Sequence, residues 1–135
     1  MNEALIARWN ERVQKQDDVW HLGDFAVRMS GDAVAALLAR LHGCKHLIVG
    51  NNDGPATISQ DGWRSTQHYA EIEIDGVRLV LCHYPFRTWN GMYKGAYNVH
   101  GHSHGKLSRM TRQVDVGVDV WDLRPITVDQ LRRRA

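Results

Sequence analysis

A chain of 135 residues is long enough for one domain with its own core, and 43% hydrophobic with 24% charged residues is ordinary globular composition. A net charge of +2 with His neutral is too small to argue nucleic-acid binding by itself. No apolar run is long enough to cross a membrane and no signal peptide is expected; the two cysteines, Cys44 and Cys82, form no Cys-x-x-Cys pair, so a reduced, cytoplasmic setting is expected.

Asn2 to Val13 is predicted as an amphipathic helix with Leu5, Ile6, Trp9 and Val13 on one face and Asn2 as its cap. Asp18 to Leu22 is short, apolar and β-prone, and it runs into a turn at Gly23-Asp24. Ser30-Gly31-Asp32 offers caps for a second helix, buried through Val34, Leu37, Leu38 and Leu41 and stopped by Gly43. Lys45 to Val49 is a second strand, ending in the polar loop Gly50-Asn51-Asn52-Asp53-Gly54-Pro55. Asp61 to Thr66 reads as irregular, with Trp63 packing it down. Ala70 to Ile74 and Val77 to Cys82 flank Asp75-Gly76, a strong hairpin signal. The second of these strands ends at His83-Tyr84-Pro85, and Phe86 to Lys94 is a long surface loop. Tyr97 to His100 is a further strand, and Gln113 to Val120 alternates Val114, Val116, Val118 and Val120 as a half-buried one. Thr127 with Gln130 makes a capping box for a last helix, whose cationic end is Arg132-Arg133-Arg134. Two helix–strand units followed by a run of strands predict an α/β core in one domain, with a largely antiparallel second half and two packed sheets.

The stretch richest in chemistry is Asn98-Val99-His100-Gly101-His102-Ser103-His104-Gly105. In a regular strand His102 and His104 share one face, and the flanking glycines let a loop aim each ring separately. Imidazole is the commonest protein ligand for transition metals, so a metal site is expected here rather than a solvated turn. Four predicted strands end in a metal-competent group: Asp24, Asn51, His83, then His102 with His104. Ligands in open α/β sheets collect at such carboxyl ends. Each piece alone has an ordinary explanation: a turn, an Asx-turn, a hydrogen-bonded core histidine. Their order and context together favour one shared site. A donor set of carboxylate, amide and imidazole without thiolate suits an open catalytic site holding Mn, Fe, Co, Ni or Zn.

Gly23-Asp24, Gly50-Asn51-Asn52-Asp53, His83 and Gly101-His102-Ser103-His104 resemble the successive motifs of the calcineurin-like metallophosphoesterase superfamily. The flanking stretches Val-Trp-His-Leu-Gly-Asp-Phe-Ala and Leu-Cys-His-Tyr-Pro resemble its small bacterial phosphoesterases. The resemblance spans most of the chain. It implies a β-sandwich flanked by helices and hydrolysis of a phosphomonoester or phosphodiester, with a nucleotide among the candidates. It implies that Asp24 bridges two metal ions, that Asn51, His83 and His102 complete one site, and that His104 belongs to the other. A hydroxide held between the metals attacks phosphorus in line in that family.

Two departures matter. The family opens with a strand ending in Asp-x-His, and no such motif precedes Gly23-Asp24, so the first strand is expected to be missing and the second metal site incomplete. A homo-oligomer in which a second copy covers the gap, or a rearranged core, is then expected. His21 and His100 are candidate substitute ligands, although ordinary strand positions account for both. The family's Asn-His-Asp reads Asn51-Asn52-Asp53 here. An amide hydrogen-bonds a phosphate oxygen but is no proton donor, so Asn52 is expected to disfavour poor leaving groups. Asn52 and Asp53 are taken as catalytic candidates together with Arg87, whose guanidinium matches phosphate geometry; a plain surface arginine is the equal alternative. Trp89 and Tyr93 are read as packing the loop rather than stacking on a base. The expected partner is a phosphate-ester substrate, with nucleic acid only as substrate and no membrane. A catalytically impaired metal- or nucleotide-binding relative is the competing reading.

Overall fold

The computed structural model describes residues 3–25, 29–101, 110–116 and 130. Helix α1 (Glu3–Arg12) buries Ile6 and Trp9, with Val13 just beyond its end. Asn2 and the side chain of Leu5 lie outside the described residues. Strand β1 (Asp18–His21) leads to the Gly23-Asp24 turn. Helix α2 (Gly31–Arg40) is capped by Ser30, whose Oγ accepts from the Ala33 amide at 3.2 Å. Its stripe of Val34, Leu37 and Leu38 is buried, as is Leu41 after it. The stop comes earlier than expected: Leu41 is already extended at ψ 130, and Gly43, at φ +101, turns the chain into strand β2 (Cys44–Ile48).

The next segment corrects two expectations. Pro55–Ile58 forms a single helical turn, α3, with Pro at its first position. The supposedly irregular stretch contains strand β3 (Trp63–Gln67), parallel to β2, with Trp63 buried as expected. Its polar run of Arg-Ser-Thr-Gln gives no alternation because β3 is the outer strand of a parallel sheet ordered β1-β2-β3.

Strands β4 (Tyr69–Ile74) and β5 (Val77–Cys82) form the expected hairpin, with Asp75 at φ 53 and Gly76 at φ +78 in its turn. Strands β6 (Tyr97–His100) and β7 (Gln113–Asp115) complete a second sheet ordered β4-β5-β6-β7. Among the described residues only β4–β5 is antiparallel; β5–β6 and β6–β7 are parallel, so the expectation of a largely antiparallel half is corrected for these strands. Val118, Val120, Thr127 and Arg132 to Arg134 lie outside the described residues.

Hydrophobic packing follows the alternation of the strands. On one side of the first sheet, Leu47 and Trp63 pack with Trp9 of α1 and with Val34, Leu37 and Leu38 of α2. On the other, Ile48 and Leu22 share a cluster with Ala70, Leu79, Leu81, Val99 and Val114 of the second sheet. The loop after β5 covers Val80 with Trp89 and Ala96, so Trp89 packs as predicted, while Tyr93 is exposed. That loop is pinned by Asn98, fully buried, whose Oδ1 accepts from the Phe86 amide at 3.0 Å and from Gln113 Nε2 at 2.9 Å.

Candidate metal centre

Three strand ends meet at one point. Asp24 follows β1, Asn51 follows β2 and His83 follows β5, so the first sheet supplies two groups and the second sheet one. His83 is buried, and its Nδ1 lies 2.7 Å from the Leu22 carbonyl oxygen. A carbonyl only accepts, so Nδ1 carries the proton and the Nε2 lone pair is left facing the site. Nε2 stands 2.9 Å from Asn51 Oδ1 and 3.3 Å from Asp24 Oδ2. Three lone-pair-bearing atoms therefore converge. Such a set holds together when positive charge sits among them, as a proton on Nε2 or as a cation.

The donor chemistry fits a divalent ion. Ligands about 2.1 Å from one metal and at right angles to each other stand about 3.0 Å apart, close to the separations seen. A ligating histidine characteristically donates its other N–H to a carboxylate or backbone carbonyl, which is what Leu22 receives. Among the described residues no three of His, Cys, Asp and Glu gather round one point; the cluster is Asp24 and His83 with the Asn51 amide.

Why these loops touch is written in their glycines. A Cβ on Gly23 would collide with His83 Nδ1 and stand 2.8 Å from the Gly50 Cα; a Cβ on Gly50 would stand 2.6 Å from the Asp24 nitrogen. The two turns meet backbone to backbone, and only glycine allows it. Asp24 itself sits at φ 55, a region with a cost for any side chain. Asp53 holds it there: Oδ2 accepts from the amides of Gly50 at 2.7 Å and Asp24 at 2.9 Å, and Oδ1 from Phe25 at 2.8 Å. Both oxygens of Asp53 thus serve the backbone. Asn52 lies over Asp24, its amide N–H donating to Oδ1 at 2.8 Å and its Nδ2 to Oδ2 at 3.3 Å.

Of the remaining predicted residues, His102 and His104 lie outside the described residues. Gly101, the residue before them, lies against the site: its amide donates to the His83 carbonyl at 3.1 Å, and a Cβ on it would stand 3.0 Å from the Leu22 oxygen. Arg87 is exposed on the loop after His83 and takes no part in the hydrogen bonds of this cluster. Tyr84, 44% exposed, sets its ring edge-on to His83 at 5.0 Å. His21 points to the helix side, against Trp9 and Phe25, and burial pushes its imidazole down to about 4, with Asp53 opposing. The Leu22 carbonyl is the functional group that residue types alone do not reveal, because every residue carries one.

The sequence profile of the Calcineurin-like phosphoesterase superfamily domain matches residues 1–123. The chain belongs to that superfamily. This calcineurin-like chain is 33% identical to the Gene 66 protein of Mycobacterium phage D29, over 95% of its own length and 79% of the phage protein's. It is 26% identical to an uncharacterized protein of Methanocaldococcus jannaschii, over 96% of its length and 72% of the relative's. Its fold is similar to that of a protein of unknown function from Aquifex aeolicus, with a TM-score of 0.77 at 20% identity, covering 98% of this chain and 83% of the other. No helix among the described residues is long and apolar enough to cross a membrane.

Proposed function

We propose that this calcineurin-like phosphoesterase hydrolyses a phosphomonoester or phosphodiester, a nucleotide among the candidates, using one or two divalent ions such as Mn, Fe, Ni, Co or Zn. The observation that carries the reading is the convergence of His83 Nε2, Asn51 Oδ1 and Asp24 Oδ2, with the His83 ring set by the Leu22 carbonyl. Asp24, Asn51 and His83 would hold the ion, with His102 and His104 as its further ligands. A divalent ion in such a site activates water near neutral pH and offsets charge on the phosphoryl group. Asn52 offers its Nδ2–H to a phosphoryl oxygen from beside Asp24. Asp53 positions the two turns and touches neither substrate nor metal. Arg87 contributes a phosphate contact from the rim. The β-sandwich arrangement and the pairing of a second copy along the outer side of β1 belong to the same reading.

Metal content and phosphatase assays together test it. Purified protein is expected to retain or take up a transition metal and to cleave bis-p-nitrophenyl phosphate on addition of Mn²⁺, Ni²⁺ or Co²⁺. Asp24→Asn and His83→Gln should each lose both properties. Metal uptake without hydrolysis on any ester favours the impaired, binding-only relative; neither property in the intact chain ends both readings. Light scattering reads the proposed pairing of copies.

A further inference from the structure

A second group of interacting side chains lies at the opposite end of β1 from Asp24, on the side of the first sheet that carries Trp20. His46 of β2 stands between Asp18 and Ser65: its Nε2 is 3.1 Å from Asp18 Oδ1, and its Nδ1 is 2.7 Å from Ser65 Oγ. Asp18 only accepts, so Nε2 carries the ring proton. In the neutral ring Nδ1 is then the acceptor, and Ser65 donates its hydroxyl proton to it. The direction of the relay follows from the carboxylate alone. Trp20 stacks flat on the imidazole, with ring centroids 4.3 Å apart and an interplanar angle of 10°. The ring is thereby fixed by two hydrogen bonds and an aromatic face.

The backbone is bent to make this contact. Lys45 opposes Trp63, but His46 opposes Ser65, so Arg64 is an extra residue in β3. In a regular strand Ser65 would share the side of Trp63, which packs toward the helices. The bulge turns Ser65 over onto the side of His46. Asp18 is open to solvent with its side chain 70% exposed, the His46 side chain is 14% exposed, and Ser65 is half-buried.

We propose that Ser65, with His46 as base and Asp18 as the residue that positions it, is a metal-independent nucleophile that accepts an acyl group from a small activated ester. Ser65 Oγ bonds to the ester carbonyl carbon while its proton moves to His46 Nδ1. The carbon–oxygen bond to the leaving group breaks, and the departing oxygen takes that proton. Water then attacks the Ser65 ester with His46 again accepting the proton, and Oγ recovers it as the carboxylic acid leaves. The sum is one ester and one water giving one acid and one alcohol.

The test uses the intact chain in excess EDTA, which separates this site from the metal centre. An alkyl fluorophosphonate serves as the serine probe, with peptide mass spectrometry to locate it, and p-nitrophenyl acetate as the ester. The probe is expected on Ser65, and His46→Gln is expected to slow its attachment about 10²–10⁴-fold. Ser65→Ala should lose the ester turnover that wild type shows. Asp18→Asn should lower kcat on the ester about 10-fold or more at unchanged KM, a split that loosened strand packing does not produce. No label on Ser65, or label there that His46→Gln does not slow, overturns the proposal and leaves Asp18–His46–Ser65 as a fastening between strands.

Discussion

Asp53→Ala is expected to destabilise the protein by about 3–5 kcal/mol. Three backbone amides, Gly50, Asp24 and Phe25, donate to this one carboxylate at 2.7–2.9 Å. A hydrogen bond to a charged group contributes about 1.5–3 kcal/mol net. Three such bonds sharing one acceptor are not additive, and water entering the cavity recovers part of the loss, which brings the total down to that range. Asp53→Asn separates charge from shape. Its amide oxygen can still serve Gly50 and Asp24, but its NH₂ then meets the Phe25 N–H donor to donor, and about 1–2 kcal/mol should be lost. Urea unfolding followed by the fluorescence of the five tryptophans measures both. The asparagine variant also reports on function. With the Phe25 amide beside Asp24 no longer held, the turn that keeps Asp24 at φ 55 loosens, and metal affinity should weaken about 10-fold, toward the low end of what removing a group that orients a ligand costs. If Asp53→Ala unfolds within about 0.5 kcal/mol of wild type, the carboxylate is not what holds the turns, and the account of how Asp24 is positioned fails with it.

Asn52→His should raise hydrolysis of an alkyl phosphodiester far more than of an aryl one, within the roughly 10²–10⁴-fold that general acid catalysis supplies; equal gains on both would remove the leaving-group argument. Stability should fall as pH drops from about 6.5 toward 4, because the unfolded His21 binds its proton near 6.5 while the buried one waits until about 4. That slope amounts to about 2–3 kcal/mol; it should flatten in His21→Phe, and an unchanged pH profile would show that His21 is not its source. Chelation should lower the melting temperature as well as the activity, since an ion present at 100 times its dissociation constant stabilises the native state by about 2.7 kcal/mol; identical melts with EDTA and with Mn²⁺ would speak against a bound ion. Gly23→Ala forces a Cβ onto His83 and the Gly50 backbone, so it should cost more than the same change at Gly54, which has open space; matched unfolding midpoints for the two variants would refute the close approach.

What could be read from the residues depended on whether the controlling interaction was local. The Asp75-Gly76 hairpin and the Ser30 cap are local chemistry, and both are found where expected. The parallel pairing of β5 and β6 was not legible, because the crossover through 83–96 is loop with a single helical turn, Met92–Lys94, packed down by Trp89 and Ala96, and carries no long helical period to announce it. Strand β3 was missed for a related reason: an outer strand with an inserted Arg64 has no clean alternation to detect. Residue type and strand-end position pointed to Asp24, Asn51 and His83, and the structure brings these three side chains together. Asp53 was read as a catalytic candidate; its hold on three amides depends on where main-chain N–H groups point, and residue names do not encode that.

The histidine of the second sheet takes its bearing from a main-chain oxygen of the first, at Leu22. Point mutation replaces side chains and leaves carbonyls in place, so this anchor is out of reach of ordinary substitution at position 22. What can undo it is a change in the path of the chain, such as an insertion, a deletion or a slip of one layer past the other. Variants that shift the layers should therefore disturb the ring while every residue around it is unchanged, and drift in this lineage is expected to alter the side chain at 22 more freely than the length of the segment from β1 to Asp24.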